Sequence, residues 1–366
     1  MGWKCGIVGL PNSGKSTLFN AFVGSGAQVA EYPFTTIDPN IGVVLLPDRR
    51  LDAVAEISGS ATRTSTAIEV VDIAGLVKGA HSGEGLGNRF LSHIRGVDAV
   101  FHVVRSFTAP QVPHTMGRID PADDAAVVDL ELVLADLDVV ERRLTRVSKA
   151  VKSGDSSRQE FSALEKAHEA LGQGKPVRLA SLNEEERLAL HSMALLTSKP
   201  CVYVVNVPEE FAGAPEQAPG YATVEKYAHA AGAMVCGLSC KIESELSELP
   251  VEEARVFASE IGISERGTDR LVKTGYRLLD LITFFTANDN EARAWTLKRG
   301  LSVLEAAASV HTDMARGFIR AEVTPSNNLM KAGSYAKARL AGATRIEGKE
   351  YIVKDGDVVL IRFNPA

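Results

Sequence analysis

Cysteine is scarce in this sequence, aromatic residues make up only 6% of it, and no run of 18 apolar residues occurs. The missing apolar run excludes a membrane-spanning helix. Four cysteines (Cys5, Cys201, Cys236, Cys240) offer no disulfide framework and fit a reducing compartment. Cys5 and Cys201 fall in apolar runs and read as packing residues. Cys236 and Cys240 have no further cysteine or histidine nearby to complete a zinc site. Repeats and low-complexity tracts are absent, and the first motif starts at Gly9, too early for a leader, so a cytoplasmic protein is expected. The net charge of −6 argues against a general nucleic-acid coat. Residues 281–366 nevertheless carry 12 Lys/Arg against 9 Asp/Glu, a local +3 that leaves −9 for the remainder. That imbalance is either chance or a sign of an acidic partner for the C-terminal part.

What is present is an α/β pattern. Lys4 to Val8, Ile41 to Leu46, Ala67 to Asp72 and Ala99 to Val104 read as strands, and Ser16 to Val23 as a helix closed by Gly24 and Gly26. From Ala126 to Ala150 the period turns helical, with Leu130, Val133, Leu137, Val140, Leu144, Val147 and Val151 at three- or four-residue steps. Gly154 to Ser157 breaks this helix and Gln159 to Leu171 resumes it, which predicts a projecting helical hairpin. Asn183 with Glu186 three residues on marks another helix start. Strands return at Pro200 to Val205 and Met234 to Leu238, so the helical segment is an insertion. Beyond Asp280, short strands are predicted at Ala294–Lys298, Arg320–Thr324, Glu350–Val353 and Val358–Phe363, with Asp355-Gly356-Asp357 as a hairpin signal. The domains are thus 1–125 with 200–280, a hairpin at 126–199, and a small β-grasp-like domain at 281–366.

Gly9 to Ser16, GLPNSGKS, fits the phosphate-loop pattern and lies between a strand and a helix. Glycines there let successive N–H groups face a phosphate chain. Lys15 would reach the β- and γ-phosphates, and the Ser16 hydroxyl would ligate Mg²⁺. Asp72 ends a strand three residues before Gly75, as a metal-side carboxylate and a γ-phosphate-sensing glycine do. In Pro33 to Asn40, Thr35 and Thr36 compete to complete the Mg²⁺ shell, and Thr36 is the choice; a plain Pro-bounded turn is the alternative. Asn206-Val207-Pro208-Glu209 follows a strand where guanine-specific proteins carry Asn-Lys-x-Asp. Val207 replaces the lysine and Glu209 the aspartate, so the bidentate guanine contact is displaced and adenine is favoured.

GLPNSGKSTLFNA, YPFTTIDPN, DIAGLVKGAHSGEGLGNRFL, NVPE and EGKEYIVKDGDVVLIRFN together resemble the Obg-like ATPase (YchF) family, through essentially the full chain. The resemblance implies a P-loop GTPase-type mixed sheet, an inserted α-helical hairpin and a C-terminal TGS domain. It implies slow hydrolysis of ATP in preference to GTP and association with ribosomes. Carried over, the phosphate-binding residues are Asn12, Ser13, Gly14, Lys15, Ser16 and Thr17, and the Mg²⁺ ligands Ser16 and Thr36. Base contacts fall at Asn206 and Val207, the latter through its backbone, while Ser239-Cys240-Lys241 departs at its cysteine from the usual base loop.

Where many GTPases place a water-orienting Gln, this chain has Leu76, which forms no hydrogen bond to water. Catalysis must then come from elsewhere, or be slow until a partner or cation supplies it. Asn12 is placed to help hold K⁺, a role the wider Obg-like group implies. His114, beside Pro113, is either a mobile water-orienting group or a solvent-exposed loop histidine. The leading function is a Mg²⁺-dependent ATPase acting as a ribosome-associated switch, with the large subunit and ribosomal RNA as partners. The Thr36 and Gly75 loops would be its gate. A GTPase assembly or translation factor, and a nucleotide-gated binding module with incidental turnover, are the alternatives.

Overall fold

The computed structural model describes residues 3–24, 41–73, 86–109, 111–114, 117–152 and 158–364. Thr36, Gly75 and Leu76, with the whole Pro33–Asn40 segment, lie outside them. Among the described residues the strands are β1 (Trp3–Val8), β2 (Ile41–Leu45), β3 (Thr62–Thr64), β4 (Ala67–Asp72), β5 (Ala99–Arg105) and β6 (Cys201–Asn206). They continue with β7 (Met234–Leu238), β8 (Leu281–Ala287), β9 (Glu291–Lys298), β10 (Phe318–Pro325), β11 (Arg345–Glu347) and β12 (Asp357–Phe363). The longer helices are α1 (Lys15–Gly24), α2 (Arg49–Ser58), α3 (Leu86–Arg95), α4 (Pro121–Lys152) and α5 (Arg158–Gly172). After them come α6 (Glu184–His191), α7 (Tyr221–Ala230), α8 (Cys240–Glu248), α9 (Val251–Glu260) and α10 (Gly267–Leu278).

The chain divides into two compact units. The first, residues 1–44 and 69–275, is built on a sheet of order β2-β4-β1-β5-β6-β7. Strands β1, β5, β6 and β7 run parallel, in register from Cys5 opposite Ala99 and Val100 opposite Cys201. Every residue of β5 and of β6 is buried, as expected of strands covered on both faces. Helix α4 serves two cores. Ala125, Val128, Leu132 and Ala135 pack on the sheet, whereas Val133, Val140 and Val147 meet Ala163, Leu164, Ala167 and Leu171 of α5. The hairpin stripe read from the sequence holds from Val133 to Val151, but Leu130 is 51% exposed. Asp136, fully buried, accepts hydrogen bonds from Leu196 N, Thr197 N and Thr197 Oγ1, tying the hairpin to its own return segment. Asn183 and Glu186 form the capping box their spacing predicts.

The second unit, residues 45–68 and 276–366, has the sheet order β11-β10-β12-β8-β9-β3. Its last strand, β12, lies parallel to β8, while β8 with β9 and β10 with β12 are antiparallel, a β-grasp-like arrangement. Residues 45–68 fall in this unit rather than with the rest of 1–125. The cause is local: β3 pairs with β9, and Leu51, Val54 and Ala55 of α2 pack with Phe285, Ala292 and Ala294. Two sequence expectations are corrected here. Glu350–Val353 is no strand and makes only an isolated bridge, Ile352 to Ser302. Asp355-Gly356-Asp357 accordingly joins no hairpin: Asp355 accepts from Thr283 N and Arg50, and Asp357 from Lys354 N and Tyr351. The apolar run Leu281–Ala287, unread from the sequence, supplies β8. Among the described residues no helix is long and apolar enough to cross a membrane.

Candidate nucleotide site

Asp72, Arg105, Asn206 and Leu238 sit at the C-terminal ends of their strands, and the Gly9–Ser16 loop follows the end of β1. In open α/β sheets the crevice beyond these ends is where ligands bind. The loop turns on backbone that side chains rarely adopt. Gly9 has φ 151°, and a Cβ there would lie 2.4 Å from the carbonyl oxygen of Val103. Gly14 has φ 104°, and a Cβ would lie 2.2 Å from Asn206 Nδ2. Only glycine fits either place. Asn12, at φ 62°, donates through Nδ2 to Pro113 O at 3.2 Å.

Inside this turn Lys15 is 7% exposed and donates to Leu10 O at 2.8 Å. Burial pushes its pKa down, and Asp72 works against that shift. Ser16 Oγ donates to Asp72 Oδ2 at 3.2 Å. Burial pushes the Asp72 carboxyl up, opposed by Ser16 and Lys15. Two buried oxygens, Asp72 Oδ1 and Ser13 Oγ, have no hydrogen-bond partner among the described residues. Desolvated acceptors left unpaired are costly, and in a binding site they mark where a ligand or ion completes the set. Thr17 follows Ser16 in the first turn of α1.

Asn206 is a brace. Its Nδ2 donates to Ser13 O at 2.9 Å, and its Oδ1 accepts from Cys240 N at 3.0 Å, so one side chain joins the phosphate loop to the start of α8. Val207 is 2% exposed and its N–H is used by Leu238 O at 3.0 Å. Glu209 accepts from Lys241 Nζ at 2.6 Å, an ion pair with both side chains about half exposed. Cys236 and Cys240 are buried thiols whose pKa burial raises, and no metal-holding cluster occurs among the described residues.

His114 is not solvent-exposed. Its side chain is 8% exposed, and Nε2 lies 2.7 Å from Asp124 Oδ2, itself in a buried side chain. Burial raises the Asp124 carboxyl, against the hydrogen bond from His114. The loop before it is held by Arg105, which donates to Phe107 O at 3.1 Å and Val112 O at 2.9 Å and lies over the Phe107 ring. The apolar period begins only at Ala126 and leaves Asp124 outside the predicted helix, whereas the helix starts at Pro121. Pro121, followed by Asp123 and Asp124, is a helix N-terminus signature that sets the start at Pro121 and would have placed Asp124 in the first turn.

A glycine-turned loop between β1 and α1, with Lys15, Ser16 and Asp72 converging at one edge of a parallel sheet, defines a P-loop nucleotide hydrolase of the GTPase type. The family described as "50S ribosome-binding GTPase" matches residues 4–137, and YchF-GTPase_C, "Protein of unknown function (DUF933)", matches residues 281–364. The chain is 49% identical to the "Ribosome-binding ATPase YchF" of Bacillus subtilis (strain 168), over 100% of both chains. It is 45% identical, again over 100% of both, to the protein of that name from Escherichia coli O157:H7. The solved structure of the Schizosaccharomyces pombe YchF GTPase is 33% identical, with a TM-score of 0.87 over 98% of this chain and 97% of that one. This chain belongs to the YchF family.

Proposed function

We propose that this protein is a Mg²⁺-dependent ATPase of the cytoplasm that prefers ATP to GTP and binds ribosomes according to the nucleotide it holds. The observation that carries the preference is the Glu209–Lys241 ion pair. A guanine-reading carboxylate must be free to accept from N1–H and N2–H₂. Glu209 is one methylene longer than the aspartate that does so, and its oxygen is already engaged by an ammonium. Reading guanine bidentately takes both carboxylate oxygens along one edge, and Glu209 Oε1 is turned toward Lys241, whereas adenine presents no such demand. The relatives named as ribosome-binding ATPases support the same reading. The matched family description supports the large subunit, and the +3 of residues 281–366 supports ribosomal RNA as the contact.

The residues present fit a divalent ion. Ser16 Oγ and the carboxylate of Asp72 meet at 3.2 Å, and Asp72 Oδ1 is a buried acceptor without a partner among the described residues. Ser16 and Thr36 would hold Mg²⁺, with Asp72 acting through water; when bound, the ion would neutralise charge on the β- and γ-phosphates. Asn12, Ser13, Gly14, Lys15, Ser16 and Thr17 would cradle the phosphates, with Gly75 sensing the γ-phosphate and Asn206 and Val207 beside the base. Asn206 would do so as the brace of that pocket. His114, oriented by Asp124, is the proposed water-orienting group in place of a glutamine. Asn12 is the proposed K⁺ partner, to be tested by exchanging K⁺ for Na⁺ in the hydrolysis assay. The nucleotide-binding domain is proposed as 1–125 and 200–280 apart from 45–68, with 126–199 as the hairpin and 281–366 as the TGS domain. Titration of labelled ATP and GTP at one Mg²⁺ concentration tests the preference. ATP is expected to bind the more tightly; tighter GTP binding would sink the assignment.

A further inference from the structure

The C-terminal unit contains a cavity of about 260 Å³ that the nucleotide chemistry leaves unused. Ile57, Val358 and Leu360 line its apolar side, and Tyr335, Thr324 and Glu322 its polar side. The Tyr335 hydroxyl lies 3.1 Å from Ser58 Oγ, which fixes the ring at the wall. The Glu322 side chain is only 12% exposed and accepts from Arg339 and, at 3.0 Å, from Arg362 Nε. Although burial pushes the other way, the two guanidinium groups hold its carboxyl below the usual range, so it is an acceptor.

Strand register extends this site onto an open sheet face. Glu322 stands opposite Ile346 on β11 and opposite Leu360 on β12. These two apolar side chains are 68% and 41% exposed. Two residues along β10, on the same face, Arg320 stands opposite Arg362. An apolar row with one carboxylate therefore runs beside a row of arginines, and the cavity opens at its edge. Three arginines against Glu322 and Asp289, the second carboxylate at the cavity, leave the patch cationic by one charge. An apolar peptide would cover the arginines without bringing them an anion. A phosphate alone would leave the apolar wall unused.

We infer that this cavity and its sheet face bind an unpaired RNA nucleotide, with the base in the cavity and the flanking phosphates on Arg320, Arg362 and Arg339. Unstacked bases are read in this way, by apolar or aromatic contact with the ring and by hydrogen bonds to an edge. The Glu322 carboxylate would accept from an exocyclic amine of adenine, cytosine or guanine, which uracil lacks. This inference rests on the ribosomal RNA contact proposed above.

Fluorescence anisotropy with the full chain, ADP present to fill the nucleotide site, and labelled single-stranded oligo(A), oligo(C) and oligo(U) of equal length is the test. Oligo(A) and oligo(C) are expected to bind about tenfold more tightly than oligo(U). Glu322→Gln should narrow that difference, Arg320→Glu should weaken all three alike, and Leu360→Glu should weaken all three while unfolding thermally like the parent. Equal affinities for the three oligonucleotides overturn the inference. So does parental binding by Leu360→Glu, and so does AMP competing as strongly as oligo(A), which marks a small-ligand pocket. If ribosome co-sedimentation survives in Leu360→Glu while oligonucleotide discrimination is absent in the parent, this site is wrong and the ribosome reading stands.

Discussion

Lys15 is a buried cation whose ammonium donates to the Leu10 carbonyl. Moving it onto a phosphate replaces a neutral acceptor by an anionic one, which adds a direct ion pair to a hydrogen bond whose donor is already charged. Lys15→Ala is therefore expected to weaken ATP binding about 10- to 100-fold, measurable by titration of the labelled nucleotide. His114 calls for a different readout. His114→Ala should lower kcat with little change in KM, and Asp124→Asn should do the same less severely, because the ring stays but loses its ionic orienting partner. An unchanged kcat in His114→Ala would leave the pair as packing between the β5–α4 loop and α4. The phosphate loop was legible because its chemistry depends on residues adjacent in sequence. The Asn206 brace and the Glu209–Lys241 pair were not, since each joins residues more than thirty positions apart.

Among the elements, the helical hairpin shows what periodicity conveys and what it misses. The stripe from Val133 to Val151 was readable because a helix must bury one face against its partner. That the first turns of α4 also cover the sheet was not, because a second apolar face resembles a continuation of the first. Glu350–Val353 reads as a strand by composition, but its bridge from Ile352 runs to Ser302, the N-cap of the helix starting at Val303, and no strand lies there to pair with it among the described residues. The α6 cap offers a stability test. Asn183→Ala should cost about 1 kcal/mol, seen as a shift of the denaturant midpoint. Lys166 and the Asn183 backbone N–H hold the Glu186 carboxyl down at about 2, from 4.5. A depressed carboxyl contributes stability that is complete above about 4.5 and lost as pH falls toward about 2. The melting-temperature gap between the parent and Glu186→Gln should therefore close through that window. A gap that stays constant would show that the carboxylate charge adds nothing.

At the scale of the molecule, residues 45–68 decide how the C-terminal unit can be studied. A chain cut after Asp280 would lose β8 and β9 and leave α2 and β3 without the sheet they pack on, exposing Leu51, Val54 and Ala55. Charge changes in the full chain avoid this. The basic residues Lys331, Lys337, Arg339 and Arg345 lie in that unit with exposed positions, although Arg339 is committed to Glu322 and Arg345 lies over the Tyr351 ring. Binding carried by such groups should fall steeply with salt. Whether nucleotide occupancy governs ribosome binding is decided by sedimentation of the full chain with ribosomes. It is to be run with a non-hydrolysable ATP analogue, with ADP and with no nucleotide, at two salt concentrations. Co-sedimentation that differs between the analogue and ADP, weakens at higher salt and loses its nucleotide dependence in Lys15→Ala is expected. Equal co-sedimentation in all three nucleotide states would contradict it.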